Sequence, residues 1–191
     1  MTGIIPPSSL VADRHTGVYF QRRDYGGFIR RAAAGAIDVA ALLLLGFVIA
    51  LVIAFVRVFT GSDAIIGEWE LMPFWLPICY LYLAPLKASR LRTVGYRLMG
   101  LRVVDLQGRR PGWVRMTIRL VAMSFGSLWW VLDLFWMCGQ SDRRKISDLY
   151  AGTYVVRVNA APEGRGAVGL GFYGIFTYFF VFREVLRPTA E

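Results

Sequence analysis

Four charged residues stand out for the places they occupy. Asp38 is the sole charge in the 25 residues between Arg31 and Arg57, and Asp133 is the sole charge between Leu120 and Ser141. Arg31 precedes Asp38 by seven positions, and Asp148 follows the basic run Arg143-Arg144-Lys145. A carboxylate in an apolar segment is costly where it meets lipid, so it must face protein or water. There it can bind a cation or a proton, hydrogen-bond a neighbouring helix, or act as an adjustable gate. Seven residues at about 100° each return Asp38 to within about 20° of Arg31 on one helix face. Along the axis the two still lie on the order of 10 Å apart, and a helical Arg leans toward the N-terminus. Each therefore needs a partner from another part of the chain. Asp148 is placed to pair with Arg30 or Arg31 or to cap a helix. Asp133 is a secondary candidate, expected at a wet headgroup interface.

Other chemistries lack their residues. The one histidine, His15, stands alone, and the two cysteines, Cys79 and Cys138, each lie in an apolar block. No nucleophile set, metal-ligand cluster or redox pair can be assembled from them. Gly169-x-Gly171-x-x-Gly174 matches a dinucleotide fingerprint as a string. It lacks the βαβ context and the acid about 20 residues on. We expect no enzyme, no cofactor and no metal.

The elements that must position these charges are membrane segments. Of 191 residues 56% are hydrophobic and 18% charged, and mean hydropathy is +0.48. Soluble chains average about 45–50% apolar and about 25% charged. The run between Arg31 and Arg57 exceeds the roughly 20 apolar residues of a spanning helix. Leu71–Leu86, with Pro73, Pro77 and Pro85, is predicted to be a second, kinked span. Lys87–Arg119 carries nine positive charges against Asp105 alone, which places it in the cytoplasm and makes anionic lipid headgroups its expected partner rather than nucleic acid. Residues 120–141 suit a re-entrant hairpin better than a third crossing, because a crossing would put Arg143-Arg144-Lys145 outside. Gly166–Phe182 is uncharged and aromatic, and reads as a membrane-associated segment at headgroup level or a crossing. The β-branched runs Leu101–Leu106 and Thr153–Val158 are predicted to pair as a short cytoplasmic ribbon.

Three blocks carry a family resemblance. Arg31 with Ile37-Asp38, then Thr93-Val94-Gly95-Tyr96-Arg97-Leu98-Met99-Gly100-Leu101-Arg102-Val103-Val104-Asp105, then Ser147-Asp148-Leu149-Tyr150-Ala151-Gly152 and the strand after it resemble the RDD family of bacterial membrane proteins. The family's one Arg and two Asp map onto Arg31, Asp38 and Asp148. Tyr96 and Ser147 stand where the family often has Lys and His. The resemblance implies an inner-membrane protein moving ligands of unsettled identity, with cation/proton antiport suggested for some members.

The expected fold is therefore all-α integral membrane: a small bundle with two firm transmembrane helices, a re-entrant or third hydrophobic hairpin, and the cytoplasmic ribbon. The chain divides into a polar arm over 1–27, a membrane domain over 28–158 and an aromatic membrane-associated segment over 159–191. The expected protein is a multi-pass inner (plasma) membrane protein with a cytoplasmic N-terminus. It is read as a small transporter or transport subunit, with Asp38 as ion or proton ligand, working as a homo-oligomer or within a membrane complex. The alternative is a non-catalytic scaffold.

Overall fold

The computed structural model describes residues 16–61, 68–123, 133–140, 142–175 and 178–187. Its longest element, α1 (Phe28–Thr60), ends at Gly61, whose φ of 59° turns the chain through the left-handed region. The buried positions of α1 are Arg31, Ala34 and Asp38, a single stripe at helical spacing. Leu43, Phe47, Phe55 and Phe59 are among the apolar residues left exposed. A soluble helix buries its apolar stripe and exposes its charges. In α1 the polarity is inverted, as a helix surrounded by hydrocarbon requires.

Among the described helices α1 alone is long and apolar enough to cross a membrane. The second firm span is not found. In its place α2 (Glu68–Leu81) runs into a π-helical turn over Tyr82–Leu86 that contains Pro85. The apolar stretch Met72–Leu86 would extend only about 22 Å at about 1.5 Å per residue, against about 30 Å of hydrocarbon. Trp75 packs on α1 at Gly46, where an added Cβ would stand 3.1 Å from its ring.

The expectation of an all-α bundle is also overturned, because two sheets are present. One is the ribbon expected from the sequence: β2 (Leu101–Asp105) pairs antiparallel with β3 (Thr153–Arg157), Leu101 opposite Arg157 and Val103 opposite Val155. Strand alternation gives the ribbon two buried faces. Leu101, Val103 and Val155 pack with Ala34, Ala84, Tyr96 and Met116, while Val104, Tyr154 and Val156 pack with Phe20, Tyr25 and Leu106.

The second sheet has the order β1 (Thr16–Tyr19), β4 (Gly164–Ile175), β5 (Tyr178–Val185), all antiparallel. The aromatic run expected as a membrane segment is thus a β-hairpin. Its glycines break a helix and its aromatic and β-branched residues favour extended backbone. The N-terminal arm contributes β1 and the stretch beside β3, where the Gly26 amide donates to the Val155 carbonyl at 2.8 Å.

Before β2 lies α3 (Val94–Leu98), and between β2 and β3 in sequence lie α4 (Trp113–Met123) and α5 (Ile146–Ala151). Helix α4 buries Met116, Arg119 and Ala122 and exposes Trp113, Val114, Ile118 and Val121. It therefore has two apolar faces, the buried one carrying an arginine. The middle of the hairpin expected over 120–141, residues 124–132, lies outside the described residues, which show helix again at 133–136.

Candidate functional site

The stripe Arg31, Ala34, Asp38 gives α1 two polar anchors. Asp38 is met by α3 and by the π-helical turn. Its Oδ1 accepts the Gly95 amide at 2.7 Å and the Tyr82 hydroxyl at 3.1 Å, and its Oδ2 accepts the Thr93 hydroxyl at 2.8 Å. The Lys87 ammonium stands 3.8 Å from Oδ2. Contact this close depends on glycine at 95, since an added Cβ would lie 2.0 Å from the Ala34 carbonyl oxygen. The carboxylate fastens α3 to α1 through donors that the sequence motif Thr93-Val94-Gly95 supplies.

Arg31 and Asp38 make no contact with each other, as their spacing predicts. Arg31 reaches back: Nε donates to the Gly26 carbonyl at 2.9 Å and Nη1 to Asp148 Oδ2 at 2.5 Å. The opposite oxygen of Asp148 faces Arg119 Nη2 at 2.8 Å. Asp148 also accepts the Lys145 amide at 3.3 Å, closing the first turn of α5. It is at once the ion-pair partner and the cap. Burial alone would raise its pKa, but Arg119, then Arg31 and Lys145, hold it down to about 2.

Asp133 is fully buried rather than wet, accepting the Ser147 amide and hydroxyl, both at 2.8 Å. Burial pushes its pKa above the usual carboxylate range. Ser147 thus uses both of its donors to tie residues 133–136 to α5.

These anchors hold four cations around one cavity. A space of about 450 Å³ lies against α1, and Arg31, Lys87, Arg119 and Lys145 all line it. Among the described residues no carboxylate lines it. Asp38 pairs with Lys87, and Asp148 with Arg31 and Arg119, without lining the cavity themselves. Lys145 is 7% exposed and makes no ion pair within 4.0 Å among the described residues. Burial lowers its pKa to about 8, Arg31 adding to the effect and Tyr96, Asp148 and Asp133 opposing it. Tyr96, which burial alone would raise, is held below the ordinary phenol value by Lys87, Arg119 and Arg31. The local field is positive even after the two carboxylates are counted.

A second cavity of about 400 Å³ lies on the other side of Lys87, lined among others by Arg90, Arg92, Arg102, Arg109 and Arg110. Lys87 borders both spaces.

Of the site residues expected from the sequence, the structure joins Arg31 and Asp148 directly and places Asp38 seven residues further along α1, on its own set of partners. Lys87, Arg119, Lys145, Tyr82, Thr93 and Gly95 were not singled out. Arg119 carried a legible signal, a charge spaced three residues from both Met116 and Ala122 on an otherwise apolar face. The described residues contain no group of His, Cys, Asp or Glu that could hold a metal ion.

A sequence-family model described as the RDD family matches residues 25–152, a span that contains every anchor and every cavity cation named above. No curated protein and no solved structure matches the chain.

Proposed function

The chain belongs to the RDD family, and from that premise we propose that it is a small transport protein or transport subunit of the inner membrane that binds an anionic ligand at the charged end of α1. The observation that carries this reading is a cavity lined, among the described residues, by four cations and no carboxylate. Arg31 and Arg119 share Asp148 and Lys87 stands beside Asp38, whereas Lys145 makes no ion pair within 4.0 Å among the described residues. A buried cation left so is stabilised by an anion, and a ligand that supplies that charge suits the site.

The Lys and Arg excess of residues 87–119 supports a cytoplasmic position for this end. Anionic lipid headgroups are then the natural neighbours of the second, arginine-rich cavity. One long apolar helix leaves too little wall for an aqueous path within one copy, so we take the working unit to be a homo-oligomer or a subunit of a larger membrane complex.

In this reading Asp38 is an anchor rather than a cation carrier. Its two oxygens already receive three hydrogen bonds and lie beside an ammonium, an environment that disfavours a further cation. Purified protein in detergent, titrated with inorganic phosphate and dodecyl phosphate at fixed ionic strength, tests it. Stabilisation lost in Lys145→Gln is the expected result. No Lys145-dependent effect from either compound contradicts anion binding and leaves the scaffold reading. Sealed vesicles under a pH gradient with Na⁺, K⁺ or Li⁺ test the coupled-cation reading: proton movement abolished by Asp38→Asn would restore it.

A further inference from the structure

Beyond its charge, the cavity has a shape. Ala32, Gly35, Ala36, Val39, Ala40 and Leu43 line it from α1, at the 3-1-3-1-3 spacing that keeps one helix face. From the first to the last the stripe runs about 16 Å at about 1.5 Å per residue, with small side chains over most of that length. Met123 and Leu134 form apolar wall opposite. Arg31, Arg119 and Lys145 stand around Asp148 at the Arg31 end, and Lys87 stands beside Asp38, midway along the stripe. Arg119 is 3% exposed and its Nη1 has no hydrogen-bond partner. A buried donor left unpaired is costly, and Arg119 lines the cavity together with Lys145, which makes no ion pair within 4.0 Å among the described residues. The trough is on the side of α1 where Val39 and Leu43 remain exposed, so a chain lying in it is continuous with the hydrocarbon around the helix.

We propose that this cavity holds a single-chain amphiphile with an oxyanion headgroup, the head among Lys87, Arg119 and Lys145 and the chain along Ala36–Leu43. The proposal rests on the anion reading above and names its ligand class. Inorganic phosphate offers the head without the chain, and an alkylammonium the chain without the head. Only a molecule with both fills the cationic end and the apolar stripe together.

The test uses the full chain in neutral detergent and three probes: dodecyl phosphate, inorganic phosphate and dodecyltrimethylammonium. Dodecyl phosphate is expected to bind at least about tenfold more tightly than inorganic phosphate, from the added burial of methylenes. Ala40→Phe fills the trough at an exposed position and is expected to remove that advantage while leaving inorganic phosphate unchanged. Lys145→Gln is expected to weaken both phosphates by about tenfold, the loss of one charge-assisted contact. Lys145→Arg keeps the charge and is expected to bind both, which separates loss of charge from loss of folding. Arg110→Gln reports on binding in the second cavity, and Arg165→Gln, exposed on β4 and lining neither cavity, is expected to change neither phosphate.

Four results overturn the proposal. Equal, Lys145-dependent binding of the two phosphates removes the chain and leaves the anion reading intact. Competition by dodecyltrimethylammonium as strong as by dodecyl phosphate shows partition of the chain without recognition of the head. Loss of binding in Arg110→Gln with retention in Lys145→Gln moves the site to the second cavity. Absence of Lys145-dependent binding by either phosphate removes both readings.

Discussion

Arg119 Nη2 lies 2.8 Å from Asp148 Oδ1, on the carboxylate oxygen that Arg31 leaves free. One buried aspartate thus serves two buried guanidiniums from two helices, α1 and α4. The triad is unequal, because removing the centre strands two cations and removing either end strands none.

Asp148→Asn should therefore be the most damaging single change among the three, at about 3–5 kcal/mol, the usual cost of breaking a buried pair by deleting one partner. Arg31→Gln should cost less, since Asp148 keeps Arg119. Charge reversal at both Arg31 and Asp148 is expected not to restore stability, because an arginine at 148 would face Arg119. Thermal unfolding of the purified variants in detergent checks this order, and full recovery by the double reversal would contradict the triad.

Acid should act through the same residue. The native pKa of Asp148, about 2, is below its ordinary value of 3.8. A depressed carboxylate stabilises the fold above its unfolded pKa, and that contribution fades as pH falls from about 4 to about 2, by about 2 kcal/mol. Asp133 has the opposite sign, since its pKa is raised and protonation favours the folded state. The unfolding midpoint is expected to stay level between about pH 5 and 7 and to fall below about pH 4. A fall centred near pH 6 would contradict a charged, paired Asp148.

Gly95→Ala tests the docking of α3 on α1. The added Cβ would lie 2.0 Å from the Ala34 carbonyl oxygen and 2.8 Å from Asp38 Oδ1, so helix and carboxylate must both move. The expected loss is about 1–3 kcal/mol, as for overpacking. Asp38→Asn should cost less, because its amide oxygen can still accept from Gly95 and Tyr82. Comparable unfolding midpoints for wild type and Gly95→Ala would argue against so tight a seat.

The sequence carried some of this structure and hid the rest, for reasons of range. Local signals were readable: the 25-residue interval around Asp38, the β-branched runs that became β2 and β3, and the axial separation that denied Arg31 and Asp38 a contact. The aromatic segment misled because its apolar content resembles a membrane run, whereas its glycines and alternation build the β4–β5 hairpin. Leu71–Leu86 was read as a span by composition, but the proline-containing turn and short length leave α1 as the one helix among the described residues that meets the requirement. The cavity was not legible at all. Its cations come from positions 31, 87, 119 and 145, and nothing local says that four such distant residues share a wall.

Lys145 should make anion binding depend on pH. Its pKa of about 8 means the ammonium is lost between about pH 7 and 9, while Arg31 from α1, Tyr96 from α3, Asp148 from α5 and Asp133 remain as its charged or titratable neighbours. Affinity for dodecyl phosphate is expected to fall across that range, and bound anion should raise the lysine pKa, so that binding near pH 8 takes up protons. Lys145→Arg stays charged throughout and is expected to abolish the fall. An identical pH profile in Lys145→Arg would assign the dependence to another group.

The most direct measurement is to locate a bound ligand. An alkyl phosphate carrying a photoreactive group near the end of its chain, activated in the full-length protein in neutral detergent and mapped by mass spectrometry of peptides, reports where the chain lies. Adducts on residues 36–43 of α1 and on Met123 or Leu134, suppressed by excess dodecyl phosphate and by Lys145→Gln, are the expected result. Adducts spread over the exposed face of α4 at Trp113, Ile118 and Val121, unaffected by either, would contradict the account.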